Sequence, residues 1–223
     1  EVYLASPAVV AASAIAGYIT SAKELPENPE TRSFKKAVSE HVPSETRMEA
    51  DGRPVEVRGR TWYIPRDNID TDMIFHNRYL HITDLDEMGQ YSLDNLQGWE
   101  DFAQKAQPGD IVMAGVNFGA GSSRQQAVDC FRALGVAAIV AESYGAIYKR
   151  NAINSGFPIV VLPELSQICG QFKNGDEVEI DFETGGLVLN DEQALQAEPL
   201  SKVQMDIYQA GNLFAYGKTL DQS

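Results

Sequence analysis

Cysteine is nearly missing from this chain: Cys130 and Cys169 are the only two in 223 residues. Two thiols at that separation make neither a disulfide framework nor a metal motif, so a reducing compartment, the cytoplasm, is the expected setting. Small buried apolar residues are the plain reading of both. Histidine is as scarce. His41, His76 and His81 are the three present, and none has ligand-like spacing, so no metal ligand is expected in this chain. No stretch approaches the roughly 20 apolar residues of a membrane span. The alanine-rich run Ala8 to Ile19 is broken by Ser13 and Gly17 and lacks the basic leader of a signal peptide. Basic residues are few, 18 Lys and Arg against 32 Asp and Glu, for a net charge of −14. That balance argues against a nucleic-acid partner, which demands clustered cations. It excludes no small anionic substrate, because a few arginines govern a single pocket. An initiator methionine is absent as well; the chain opens Glu1-Val2-Tyr3-Leu4 and reads as a segment of something longer.

What is present is an α/β alternation centred on Asn117-Phe118-Gly119-Ala120-Gly121-Ser122-Ser123-Arg124. Before it lies an apolar strand, Ile111 to Ala114; after it a helical run, Gln125 to Leu134, stopped by Gly135. Val136 to Ala141 is a continuous apolar strand, Tyr144 to Asn154 a helix, and Pro158 to Leu162 a third strand. Uninterrupted apolar strands separated by helices predict a buried parallel sheet with right-handed crossovers. A hairpin follows, Glu177 to Phe182 and Leu187 to Asn190 around Gly185-Gly186, and a last helix from Leu200 to Gln209.

In such sheets a ligand crevice lies at the carboxyl ends of the strands, where the turn after Ala114 opens. Gly119 and Gly121 permit positive φ and close approach of a ligand. Ser122 or Ser123 is placed to cap the next helix, whose free amides favour an anion. Arg124 adds a planar fork for a carboxylate or phosphate. An ordinary capped strand-to-helix turn is the competing reading of these residues alone.

Upstream, Val57 to Ile64 is a strand. Asp67-Asn68-Ile69-Asp70-Thr71-Asp72 is a turn cluster ahead of a strand-like Met73-Ile74-Phe75. It lacks the glycine and closing glutamate of a calcium loop. His76 to Gln107 is a polar excursion. Residues 22–56, rich in Pro, Lys, Glu and Ser, read as a linker. Before them, Ser6-Pro7 starts an apolar helix running to Ile19, which calls for a partner surface.

Three ordered segments resemble the swivel domain of the aconitase family, most closely its isopropylmalate dehydratase small subunits. They are Asp67 to Ile74 followed by Arg78-Tyr79-Leu80; Asn117 to Arg124; and Arg150-Asn151-Ala152-Ile153-Asn154-Ser155-Gly156 with Pro158. The likeness covers about Val57 to Lys218. It implies a three-layer β/β/α-like sandwich with a mostly parallel core sheet, and domains of 1–21, 22–56 and 57–223. Residues 1–17 resemble the C-terminal end of the family's large subunit, as in the tail of a fused protein.

The activity implied is reversible dehydration of a hydroxy di- or tricarboxylic acid in leucine biosynthesis. It uses a [4Fe–4S] cluster held by the large subunit or domain and none held by this chain. Ser122 is implied as the base, with its pKa lowered by helix-end amides and Arg124. Asp72 is implied to assist it, and Ser123, Arg124, Gly121 and Thr71 to hold substrate. A turn cap is the lesser competing reading of Asp72, and one residue can do both. His81 falls in the loop that sorts substrates, where it suits an alkyl group when neutral and a carboxylate when protonated. Aconitase or homoaconitase activity, and a non-catalytic carboxylate-binding module, are the alternatives.

Overall fold

The structure is a computed structural model that describes residues 5–21, 23 and 52–220. Residues 1–49 and 50–223 form two compact units. In the first, α1 (Pro7–Ala16) is shorter than expected but starts as the sequence implies. The Ser6 side chain accepts from Val9 N at 3.4 Å, Pro7 sits at the first helical position, and Gly17 closes the helix at φ 77°. The expected linker, residues 22–56, lies almost wholly outside the described residues.

The second unit is built on one seven-stranded sheet. In chain order its elements are β1 (Glu56–Ile64), α2 (Thr71–Ile74), α3 (Leu85–Met88), α4 (Phe102–Lys105), β2 (Ile111–Ala114), α5 (Gln126–Ala133), β3 (Ala138–Ala141), α6 (Ala146–Asn154), β4 (Ile159–Val161), β5 (Glu177–Asp181), β6 (Gly186–Leu189), β7 (Gln193–Gln196), α7 (Lys202–Ala210) and α8 (Leu213–Leu220). The strand order is β4-β3-β2-β1-β5-β6-β7. The first four strands are parallel, with Ile64 beside Ala114, Ala114 beside Ala141 and Ala141 beside Val161. β5, β6 and β7 continue the sheet as an antiparallel wing from the far edge of β1.

The apolar run Ile111 to Ala114 is buried on both faces, which is why it carries no polar alternation. Val112 and Ala114 join Ile139 and Ala141 in a core with α5 and α6, represented by Val128, Phe131 and Tyr148. Ile111 and Met113 join Ala138 and Val140 on the opposite face, packed with Val178, Ile180 and Leu187 of the wing. The sheet therefore curls over itself, giving wing, parallel strands and helices as three layers. Where the two halves meet, Asp110 is 3% exposed and fully used. It accepts from Arg60 Nη2 at 2.7 Å, Trp62 Nε1 at 2.7 Å and Gln107 N at 2.8 Å.

Two expected elements change. Met73 to Phe75 is not a strand, because Asp70 Oδ1 accepts from Asp72 N and Met73 N and starts the short helix α2 there. The strands and helices around the turn are also shorter than their apolar runs, β3 beginning at Ala138 and α6 at Ala146.

Candidate active site

The chain leaves β2 at Ala114 and does not enter α5 until Gln126. Between them Asn117, Gly119 and Gly121 take φ of 59°, 74° and 95°. Gly119 is the tightest point: a Cβ there would sit 2.2 Å from Tyr148 Cγ. Glycine is thus required twice over, by backbone angle and by space. The turn is zipped to the Asp67–Thr71 segment. Asn68 N donates to Val116 O at 2.8 Å, Gly119 N to Ile69 O at 2.8 Å, and Thr71 N to Ala120 O at 2.9 Å. The Thr71 hydroxyl, in a residue only 3% exposed, donates to Ser122 O at 3.1 Å. Two segments separated by some fifty residues are therefore one structure, with Thr71 acting on the turn rather than facing outward.

Arg124 and Asp72 form the charged part of that structure. Arg124 Nη1 donates to Asp72 Oδ1 at 2.6 Å and to Phe75 O at 3.0 Å. Asp72 also accepts from Asn77 N at 3.0 Å and Asn95 Nδ2 at 3.4 Å, and His76 Nε2 lies 3.9 Å from its Oδ2. Burial works against the Asp72 charge, but Arg124, the Asn77 amide and His76 outweigh it and hold the carboxyl below its usual range. Asp72 is not the cap of α2; Asp70 is. Its carboxylate is free to fix the guanidinium, which leaves Nε and Nη2 with no partner among the described residues. Asn151 on α6 donates to Ser123 Oγ at 3.4 Å, which brings in the third segment. Gly121, Ser122 and Ser123 are exposed, and the Ser122 hydroxyl has no hydrogen-bond partner among the described residues.

Neither serine caps the helix. α5 begins from Gln125, which has helical angles and makes no side-chain cap, because residues 116–122 are tied to the Asp67–Thr71 segment instead. Gln125 Nε2 donates to Ser155 Oγ at 2.7 Å and to Asp129 Oδ1 at 3.1 Å, joining the turn to the end of α6. His81 is exposed and its Nδ1 lies 3.0 Å from Arg78 O. Facing a carbonyl, that nitrogen must carry a hydrogen. No contact joins His81 to the serine turn among the described residues. Asn77, Asp94, Asn95 and Asn151 carry no role in the sequence reading. The asparagine signals were there, since Asn151 lies in the third segment and Asn77 beside the first, but a lone amide is not readable without its partner.

A family model described as the aconitase C-terminal domain matches residues 63–164. The chain is 40% identical over 165 residues to the 3-isopropylmalate dehydratase small subunit of Aquifex aeolicus, covering 74% of this chain and 95% of that one. It is 41% identical over 164 residues to small subunit 1 of the same enzyme in Thermotoga maritima, covering 73% and 95%. The isopropylmalate/citramalate isomerase small subunit of Methanocaldococcus jannaschii is 37% identical over 163 residues, covering 73% and 94%. A crystal structure of 3-isopropylmalate dehydratase from Methanocaldococcus jannaschii superposes with a TM-score of 0.68 at 33% identity, over 75% of this chain and 96% of that one.

Proposed function

The chain belongs to the aconitase C-terminal domain family, in its branch of 3-isopropylmalate dehydratase small subunits, and from that premise we propose that it is the swivelling half of an enzyme interconverting 2-isopropylmalate and 3-isopropylmalate by loss and re-addition of water. The observation that carries the reading is the exposed Ser122-Ser123 turn with Arg124 fixed beside it by Asp72. Such an arrangement presents hydroxyls and a guanidinium to a carboxylate and leaves one side open. The open side is for the large subunit, which is the partner in this proposal. We assign 1–21 to the end of a large part, 22–56 to a linker and 57–223 to the swivel domain; the division into compact units of 1–49 and 50–223 falls within that linker. A cytoplasmic location belongs to the same reading.

The reaction removes a proton from carbon beside a carboxylate and a hydroxyl from the neighbouring carbon. In our reading Arg124 and Ser123 hold that carboxylate, and Ser122 Oγ takes the proton. The guanidinium then lies where negative charge develops as the C–H bond breaks. Asp72 keeps Nη1 occupied so that Nε and Nη2 face a fixed direction, with Gly121 allowing substrate close to the backbone. Thr71 supports the Ser122 carbonyl, and His81 borders the alkyl group from its loop. In the isolated chain the Ser122 hydroxyl is solvated and lacks a basic partner, so its activation belongs to the assembled enzyme.

A [4Fe–4S] cluster does not fit this chain. Cluster ligation takes several thiolates, whereas burial pushes the Cys130 thiol up to about 12. Among the described residues no group of three or more His, Cys, Asp and Glu is arranged to hold a metal ion. We therefore place the cluster in the large subunit, where it would supply a Lewis acid for the departing hydroxyl.

Mixing the chain with a reconstituted large subunit and following absorbance of the unsaturated acid tests the proposal. Ser122→Ala is expected to lower kcat by about 10³-fold, in the range for loss of a proton-transfer group. Wild-type turnover in that variant would remove Ser122 as the base. A second substrate has an observation behind it, since one relative is an isopropylmalate/citramalate isomerase small subunit. Comparing kcat/KM for isopropylmalate, citramalate, citrate and homocitrate ranks these acids, and a preference for a tricarboxylate would shift the reading to aconitase or homoaconitase activity.

A further inference from the structure

Residues 76–82 follow α2 directly and lie against the Asp72–Arg124 pair, since Asn77 N donates to the same Asp72 oxygen that holds Arg124. Locally it is ordered by a single helical turn, Asn77–Tyr79, capped where His76 Nδ1 accepts from Arg78 N. A second loop, residues 91–95, ties that turn to the rest of the fold. Tyr79 OH donates to Asp94 Oδ2 at 2.5 Å, and Arg78 Nη2 donates to the same oxygen at 3.1 Å. The Tyr79 ring stacks on Tyr91 with centroids 4.0 Å apart, and the Arg78 guanidinium lies over the same Tyr79 ring, 4.7 Å from its centroid. One residue on, Asn95 Nδ2 donates to Asp72 O at 3.1 Å and reaches its Oδ2 at 3.4 Å. Adjacent residues thus hold the two flanks of the candidate site: Asp94 the loop, Asn95 the carboxylate that fixes Arg124.

Both bonds fall on one carboxylate oxygen of Asp94, Oδ2, so a single group fixes Arg78 and Tyr79 together. The Tyr79 phenol is held above its ordinary pKa range first by the bond to Asp94, then by burial, so the hydroxyl remains a donor. We propose that Asp94 and Asn95 form a positioning brace that sets the distance between the 76–82 loop and the Asp72–Arg124 pair, and through it the grip on substrate. The inference rests on the reading of Arg124 as a carboxylate holder. It assigns binding, and not proton transfer, to the braced residues.

Two variants separate this from a general structural role. Tyr79→Phe removes only the hydroxyl and keeps the stack on Tyr91; Asp94→Asn removes the charge. In the assembled enzyme each is expected to raise KM for isopropylmalate about tenfold, the factor equivalent to roughly 1.4 kcal/mol, with kcat within about twofold of wild type. In the isolated full chain, amide exchange at Leu80 and Ile82 is expected to quicken in both variants, because their bonds to Asn77 O and Tyr79 O close this loop. Unchanged KM with a functioning wild-type assembly would overturn the brace even if exchange quickened, since the tie would then be structural only. A fall in kcat without a rise in KM would overturn it too. If the wild-type assembly does not act on isopropylmalate, the functional reading fails separately. Exchange in the isolated chain then reads the tie alone: unchanged rates sink the brace, and faster rates sustain the tie between the loops while the grip on substrate falls with the functional reading it rests on.

Discussion

Asp72 holds a charge that its partial burial disfavours, and it does so because four neighbours converge on it. Its carboxyl is depressed below the usual range, burial opposing and Arg124, Asn77 and His76 prevailing. A depressed carboxyl contributes stability that is fully present above the unfolded value of about 3.9 and is lost as pH falls through the lower folded value. Asp72→Asn is therefore expected to lower the urea midpoint at pH 7 and to converge on wild type only as pH falls through the lowered folded value. Equal midpoints at pH 7 would mean the pair with Arg124 contributes nothing. Asp72 and Arg124 stood out in the sequence, both as matches to a family pattern and Arg124 also as a fork suited to an anion. Their mutual contact was not, because it joins residues 52 apart. Asp94 was invisible for the same reason: within a polar excursion, one aspartate resembles any other until Tyr79 is seen beside it.

The turn from Gly115 to Gln125 shows what element-level reading captures and what it loses. Gly119 and Gly121 within it are legible as positions of positive φ, and both have it. They differ in a way no spacing reveals. A Cβ at Gly119 meets the buried Tyr148 ring at 2.2 Å, whereas at Gly121 the nearest atom is Thr71 Oγ1 at 3.6 Å. Gly121→Ala should therefore cost about 1 kcal/mol of backbone strain alone. Gly119→Ala adds a steric clash in a packed core and should cost about 3 kcal/mol or more. Thermal unfolding reads the contrast, at roughly 2–4 °C per kcal/mol for a unit of this size. Equal shifts would show that the turn relaxes away from Tyr148. Ser122 and Ser123 were readable as caps only because local sequence cannot show the Ile69 carbonyl that takes the Gly119 and Ala120 amides instead. The strands Ile111–Ala114 and Ala138–Ala141 were legible because burial on both faces leaves an apolar run. β7 was not, since Gln193-Ala194-Leu195-Gln196 is a half-exposed edge with little apolar signal. α8 follows the breaker Gly211 and contains Gly217, so its pattern reads as the end of the chain's order and not as another helix.

At the scale of the molecule, the fold assembles three distant segments and then leaves them open. The zipper between residues 67–71 and 116–122, the Arg124–Asp72 pair and the Asn151–Ser123 bond all lie in one chain, yet Ser122 and Ser123 still face solvent. Arg124, only 14% exposed, already holds the Asp72 carboxylate, so a second anion must share the guanidinium with it and gains correspondingly less. The net charge of −14 adds a repulsive field for a dianionic acid. These terms decide between a catalytic half-site and a self-sufficient carboxylate sensor, the reading that keeps the same turn without chemistry. A half-site gains affinity only when a second surface excludes water and supplies further cations. Calorimetry of the isolated chain with isopropylmalate should accordingly give a Kd of about 1 mM or weaker, equivalent to no more than about 4 kcal/mol. Adding the large subunit should tighten it by two orders of magnitude or more, and Arg124→Lys in the assembly should reverse most of that gain, since a point charge cannot reproduce the fork. Micromolar binding by the isolated chain would instead make the turn a complete site, and the sensor reading would displace the enzymatic one.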